Sequence, residues 1–192
     1  QRSYSTKIVI ENEISKFEYD LLPKMFNSHG NHYLVMYGRY SLSLYNTASL
    51  GLIGTYESRS GTDLKSFKED TMQISENGHY FMFGNEPSGT LVIYKLPQFE
   101  KHAEPTFGAF SRVTVSPDSR FCFIALDNIK EVVIYSLGEK RLRAVIDIDF
   151  KFLDSDSILR HMCFSDDSAY LNLFYQKKNS AWKVGVPFGD TV

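Results

Sequence analysis

Four serines stand at matching places in four related segments and are the most regular polar residues of the sequence. They are Ser28, Ser75, Ser116 and Ser165. A serine nucleophile needs a base beside it, and one catalytic site has no use for four copies. The residues that follow these serines are typical of β-turns, in which a serine hydroxyl bonds nearby backbone. We therefore interpret the four serines as turn residues and predict no catalytic residue among them.

Five histidines are the residues best suited to acid–base or metal chemistry near neutral pH. They are His29, His32, His79, His102 and His161. His32 and His79 occupy equivalent positions in two segments, where the other two have Arg120 and Ala169, as expected of an exposed turn. No His-X-X-X-His or Cys-X-X-Cys spacing and no glycine-rich phosphate loop occurs. We predict no metal site, no cofactor and no catalytic group.

Composition describes a folded protein with little net charge. The sequence is 43% hydrophobic and 23% charged, with a formal net charge of -2, so no bulk field attracts it to nucleic acid. Its longest uncharged stretch, 40–56, alternates in polarity, and we expect no membrane insertion. Two cysteines, Cys122 and Cys163, are too few for a disulfide framework. We therefore expect a cytoplasmic or nuclear location.

The elements that position these residues come from a fourfold repeat. Segments 25–37, 72–84, 113–125 and 162–174 each open with Met or Val, carry Ser fourth and have an aromatic residue ninth. The aromatic residues are Tyr33, Tyr80, Phe121 and Tyr170. Self-similarity at about 40 to 50 residues is typical of repeat architectures. We predict that these aromatic side chains pack in the core of each unit.

Each unit is predicted to be a four-stranded meander. A short strand leads into a turn in which Gly78 or Asn31 takes a positive φ, and an apolar second strand follows. A third strand ends in Tyr, and a fourth is clear from Gly51 and Arg141 but poorly defined around 101–107. The predicted units are 22–66, 67–109, 110–153 and 159–192, with 5–14 as a strand of a preceding or closing unit.

The segments SENGHYF at 75–81 and SPDSRF at 116–121, with VIY at 92–94 and 133–135, resemble the WD-repeat β-propeller family. No Trp-Asp dipeptide ends a third strand and no Gly-His precedes a unit, so the family's internal His, Asp, Ser and Trp network is not carried over. The resemblance implies an all-β propeller with about four four-stranded blades. Because typical members have seven, we expect part of a larger, seven-bladed propeller.

A propeller with no catalytic motif favours binding over catalysis. Residues just ahead of each first strand are expected on one rim, and these are Lys24, Asp70, Arg112, Arg160 and His161. Charges of mixed sign that include arginine suit a partner protein, although a merely solvated rim is the competing interpretation. We predict a non-enzymatic scaffold for protein–protein interaction that is a subunit of a multiprotein complex.

Two other functions remain open at this point. A lactonase-like propeller enzyme would need Asp, Glu, Asn or His side chains that converge on the mouth of a central channel. A purely structural array would expose the edge of an end blade, where a strand of another chain can pair.

Overall fold

The computed structural model describes residues 22–28, 30–37, 41–57, 69–85, 88–127, 130–148, 156–177 and 180–187. The predicted strand at 5–14 lies outside these ranges. Within them the secondary structure is β-strand, apart from one turn of 3-10 helix at Glu69–Thr71. No helix in the described ranges is long and apolar enough to cross a membrane.

The strands form four antiparallel sheets, here called the first to fourth blades. The first blade contains β1 (Leu22–Ser28), β2 (Asn31–Tyr37), β3 (Ser41–Asn46) and β4 (Gly51–Glu57). The second contains β5 (Gln73–Ile74), β6 (Tyr80–Asn85), β7 (Thr90–Lys95) and β8 (Glu100–Ala103). The third contains β9 (Phe110–Val115), β10 (Phe121–Leu126), β11 (Glu131–Ser136) and β12 (Arg141–Asp147). The fourth contains β13 (Ile158–Phe164), β14 (Tyr170–Lys177) and β15 (Ser180–Pro187).

Each blade is a meander in which strands neighbour one another in chain order. The all-β prediction is confirmed, and the poorly defined fourth strand of the second blade is the short β8, followed by a single bridge between Thr90 and Thr106. The fourth blade has three strands among the described residues instead of the predicted four. The first strands β1, β5, β9 and β13 contact one another in succession, so they lie innermost.

The blades pack face to face, and the second strands show why their sequences are apolar throughout. In β6, Phe81 and Phe83 pack in the core between the first and second blades, whereas Met82 packs in the core between the second and third. In β10, Phe123 faces the fourth blade and Cys122 the second. A strand covered on both faces buries side chains of either parity, which removes the alternation of a half-exposed sheet.

The ninth-position aromatic residues are core residues in only part of the chain. Tyr33 is 7% and Phe121 8% exposed, but Tyr80 is half-buried and Tyr170 is 46% exposed. Tyr33, Tyr80 and Phe121 lie on the face of their blade that the following blade covers. Strand alternation places Tyr170 on the face of β14 opposite to Leu171 and Leu173, which face the third blade. No blade follows the fourth among the described residues, and there Tyr170 is exposed instead of packed in a core.

The turns between first and second strands repeat one hydrogen-bond pattern in the second, third and fourth blades. In the third, Ser116 Oγ donates to Asp118 Oδ1 at 2.6 Å and accepts from the Phe121 amide at 3.0 Å. The same bonds join Ser75 with Asn77 and Tyr80, and Ser165 with Asp167 and Tyr170. The interpretation of these serines as turn residues thus agrees with their contacts.

The first blade has a different turn. Ser28 pairs with Asn31, which leaves two residues between β1 and β2, and Gly30 has φ +74°. The predicted positive φ is therefore confirmed for Gly78, at +70°, and wrong for Asn31, which lies in β2. Gly30 stands where the other blades have Asn or Asp, so Ser28 lacks a side-chain acceptor at that position of its turn.

Candidate protein-binding surface

The predicted rim residues lie at the beginnings of the innermost strands. Lys24 is the third residue of β1, Arg112 is the third of β9, and Arg160 and His161 lie in β13. The sequence had placed them just ahead of these strands, which is wrong for these four residues because β1, β9 and β13 begin three or four residues before their repeat motifs. Asp70 does precede β5, in the 3-10 helix. These five residues are called the inner-strand surface below.

Arg112 connects three blades. Its Nη1 lies 2.8 Å from Asp70 Oδ2, at the entrance to the second blade, and its Nε donates to the Leu159 carbonyl of the fourth blade at 3.1 Å. The Arg112 side chain is 15% exposed, whereas that of Asp70 is 53% exposed. A guanidinium group with several donors in a plane suits such a position, because it can satisfy a carboxylate and a carbonyl together.

Lys24 makes a similar link between the first two blades. Its Nζ lies 3.5 Å from the Met72 carbonyl and 5.0 Å from the centre of the Phe26 ring. The contacts of Lys24 and Arg112 therefore run from the first blade to the fourth. These two residues hold neighbouring blades together in addition to any part in binding.

Arg160 and His161 are the exposed part of this surface on the fourth blade. Arg160 Nε donates to Gln176 Oε1 at 2.9 Å, within the same sheet. The His161 ring lies 5.8 Å from that of Phe174, measured between centres. Neither residue contacts another blade through these interactions, so both can be replaced without breaking a connection between blades.

The histidines considered for catalysis form local contacts or lie in different blades. His32 bonds Asn27 in the first blade, and His102 Nε2 lies 2.6 Å from the Leu137 carbonyl. His29 lies outside the described residues. Among the described residues no three His, Cys, Asp or Glu side chains come together in a way that could hold a metal ion.

The cysteines differ in environment. Cys122 is fully buried with its Sγ 3.5 Å from Met82 Sδ, and this burial raises the pKa of its thiol far above the ordinary value. A thiol that stays protonated is a poor nucleophile, so Cys122 acts as a small apolar side chain. Cys163 is only half-buried.

The basic segment at 130–143 is neutralised locally. Arg141 Nε lies 2.8 Å from Glu139 Oε2, and Arg143 Nη1 lies 3.5 Å from the same atom. One carboxylate thus faces two guanidinium groups on the outer strand of the third blade. This arrangement gives no continuous basic face of the kind that tracks a nucleic-acid backbone.

Sequence reasoning missed a cleft between the first and second blades. It has a volume of about 750 Å³ and is lined by Tyr56, Glu57, Asn85 and Tyr94, among others. The available signal was Asn85, the one amide at the end of the otherwise apolar second strand YFMFGN. A strand buried on both faces has little reason to end in a buried amide unless something bonds it.

No protein-family model matches the sequence, and no match was found among curated proteins. Solved structures do resemble the chain. Hydrazine synthase of Kuenenia stuttgartiensis superimposes with a TM-score of 0.61 at 14% identity, over 81% of this chain and 42% of that one. Hsv2 of Kluyvelomyces marxianus superimposes with a TM-score of 0.62, also at 14% identity, over 91% of this chain and 52% of that one.

The fold is a β-propeller. Four successive meanders with their first strands innermost and apolar layers between them give this result together with the structural matches. The chain spans about half the length of these two propeller structures. At such low identity the likeness concerns the propeller fold alone, and the number of seven blades stays a prediction.

Proposed function

We propose that this chain belongs to a WD-like propeller that binds other proteins through the inner-strand surface, without catalysis, as a subunit of a larger intracellular assembly. The observation that carries the proposal is the position of the five predicted residues at the beginnings of the inner strands. Asp70, Arg160 and His161 keep exposed side chains there, with both signs of charge. Arginine among exposed charges of mixed sign is typical of protein interfaces.

The WD-like part of the proposal is supported by the turns. Ser followed two residues later by Asn or Asp, with the side-chain hydrogen bond between them, recurs in three blades. The next-to-last residues of the third strands are Tyr45, Tyr94 and Tyr135, near the place where WD repeats have their Trp-Asp dipeptide.

Charge reversal on the fourth blade tests the proposal. We expect the intact protein, purified from its native cells, to bring a stoichiometric partner that mass spectrometry identifies and that Arg160→Glu with His161→Glu removes. Arg143→Glu, on the outer strand of the third blade, is the matched control and should retain the partner. Arg112 is unsuitable for this purpose because its replacement would also remove contacts that join three blades.

Either of two results would overturn the proposal. One is a protein that purifies without any partner, and the other is a partner that both the fourth-blade variant and the control retain equally.

A further inference from the structure

The cleft between the first and second blades contains an unsatisfied buried acceptor. Asn85 is 9% exposed, and its Oδ1 has no hydrogen-bond partner among the described residues. Strand alternation places its side chain on the same face of β6 as Phe81 and Phe83, which face the first blade. A buried acceptor without a donor costs about 1 to 3 kcal/mol, so such groups are rare without a reason.

Neighbouring hydroxyl groups are already committed to other bonds. Ser88 Oγ donates to the backbone carbonyl of Asn85 at 3.0 Å, and the hydroxyls of Thr90 and Thr106 lie 3.2 Å apart. These contacts leave the Asn85 side-chain oxygen as an acceptor that points into the lining of the cleft without a donor. A ligand that donates a hydrogen bond to this oxygen would satisfy it.

The charge of the cleft favours a cation. Its ionised side chains are Glu57, Glu104 and Lys101, and Lys101 pairs with Glu104. No described residue pairs with Glu57, which is exposed at the end of β4. Among the described residues that line the cleft, one carboxylate therefore has no compensating cation.

Aromatic rings form the apolar wall of the cleft and are held by stacking. Tyr56 lies edge-on to Phe83 at 4.9 Å between ring centres, and Tyr94 stacks on Phe99 at 4.2 Å. Phe83 and Tyr94 are nearly parallel at 6.3 Å. These contacts hold both rings in place, so they form a rigid apolar wall for the aliphatic part of a ligand side chain.

We propose that this cleft binds a lysine or arginine side chain of a partner protein. The ammonium or guanidinium group donates to Asn85 Oδ1 and pairs with Glu57, while the aliphatic part of the side chain lies against Tyr56 and Tyr94. A volume of about 750 Å³ accommodates such a side chain with its adjoining backbone. The proposal rests on the protein-binding function proposed above and adds a second contact surface to it.

Short peptides test the proposal directly. The probes are the capped tripeptides acetyl-Gly-Arg-Gly-amide and acetyl-Gly-Lys-Gly-amide, with acetyl-Gly-Gln-Gly-amide as the neutral control, titrated into the 15N-labelled protein. We expect the basic peptides to shift the side-chain amide resonances of Asn85 in a saturable way, and the neutral peptide to leave them in place. We expect Glu57→Gln to weaken binding of the basic peptides about three- to tenfold.

Glu139→Gln is the matched control, because Glu139 is also an exposed carboxylate but lies on the third blade. It should bind the peptides as the unmodified protein does. Equal shifts with the glutamine peptide, no shift at Asn85, or unchanged affinity in Glu57→Gln would each overturn the proposal. Arg160 lies outside this cleft. If the basic peptides bind at Asn85 but the purified protein brings no partner, only the proposal for the inner-strand surface is refuted.

Discussion

The first blade and the other three use the same serine in opposite ways. In the second, third and fourth blades the hydroxyl closes its own turn, as with Ser116 and Asp118. In the first, Ser28 Oγ lies 2.8 Å from the carbonyl oxygens of Ser75 and of Glu76, in the turn of the second blade. One residue decides this difference, because Gly30 lacks the side-chain acceptor that binds the serine hydroxyl within its own turn in the other blades.

The comparison shows that one repeated motif can serve a turn or a contact between blades. A bond from the Asn77 amide to Ser119 Oγ, at 3.2 Å, continues the connection from the second turn to the third. Turns at this end of the propeller are therefore tied to one another as well as internally. Replacements of residues in these turns separate the two roles.

Replacing Ser116 with alanine should have the largest effect. Ser116 is fully buried, and its loss removes the side-chain acceptor of the Phe121 backbone N–H and one hydrogen bond to the Asp118 carboxylate, which keeps its bonds from Arg120. We expect a loss of about 2 kcal/mol in the free energy of unfolding, measured by urea denaturation. Ser165→Ala, with the same bonds at a more exposed place, should lose less than about 1 kcal/mol. Equal losses would show that burial does not set the strength of this turn.

Replacing Ser28 with alanine should lower the free energy of unfolding by about 1 kcal/mol. The hydroxyl is 3% exposed, but the Ser75 and Glu76 carbonyls that lose it are part of a turn that keeps its own internal bonds. Hydrogen exchange should accordingly report faster exchange at the contact between the first two turns. If Ser28→Ala instead destabilises the protein as much as Ser116→Ala, the contact between blades is as important as the closure of a turn.

Gly30→Asn restores the side chain that the other turns possess. A Cβ at Gly30 meets nothing within 4 Å, and asparagine tolerates a positive φ better than most residues. We expect a loss of less than about 1 kcal/mol in urea denaturation, since Ser28 already has acceptors in the second blade. A gain in stability would mean that Ser28 prefers its own turn and that the first blade is not a distinct case.

Acid should weaken the third turn slightly. Burial by itself raises the pKa of Asp118, but hydrogen bonds from Ser116 and Arg120 outweigh it and hold that pKa below the ordinary value. A carboxylate whose pKa is lowered by folding stabilises the protein above its unfolded pKa, and this stabilisation is lost as the pH falls through the folded one.

Between about pH 5 and pH 3, Asp118→Asn should therefore lose less stability than the unmodified protein, by well under 1 kcal/mol because the group is largely exposed. Melting temperatures across this range provide the measurement. Identical pH profiles for the two proteins would show that Asp118 contributes nothing through its charge.

Sequence patterns determined the repeat, the strand content and the chemistry of the first turns. Ser with Asn or Asp two residues later encodes its own hydrogen bonds over a few residues, so Ser75, Ser116 and Ser165 were interpretable without tertiary structure. Apolar second strands likewise predicted burial on both faces. Hydrogen bonds within a turn can be predicted from the sequence because the residues that form them are close in the chain.

Contacts between blades were decided by the tertiary structure alone. Neither the Arg112 link to Asp70 and Leu159 nor the destination of the Ser28 hydroxyl follows from local patterns, because each partner lies more than 40 residues away in the chain. The exposure of Tyr170 has the same origin. Its burial depends on a neighbouring blade, which the residue type does not reveal.

The turns between third and fourth strands likewise have a backbone conformation that their residue types do not predict. Leu50, Phe99 and Lys140 occupy equivalent left-handed positions, with φ of 52°, 54° and 55°, although one is aliphatic, one aromatic and one basic, and none is glycine. Each precedes a fourth strand that carries a β-bulge opposite the third strand, at Tyr45, Tyr94 and Tyr135. Pairing of whole strands imposes this backbone, since the cost of about 1 kcal/mol at one residue is small beside that of a misaligned sheet.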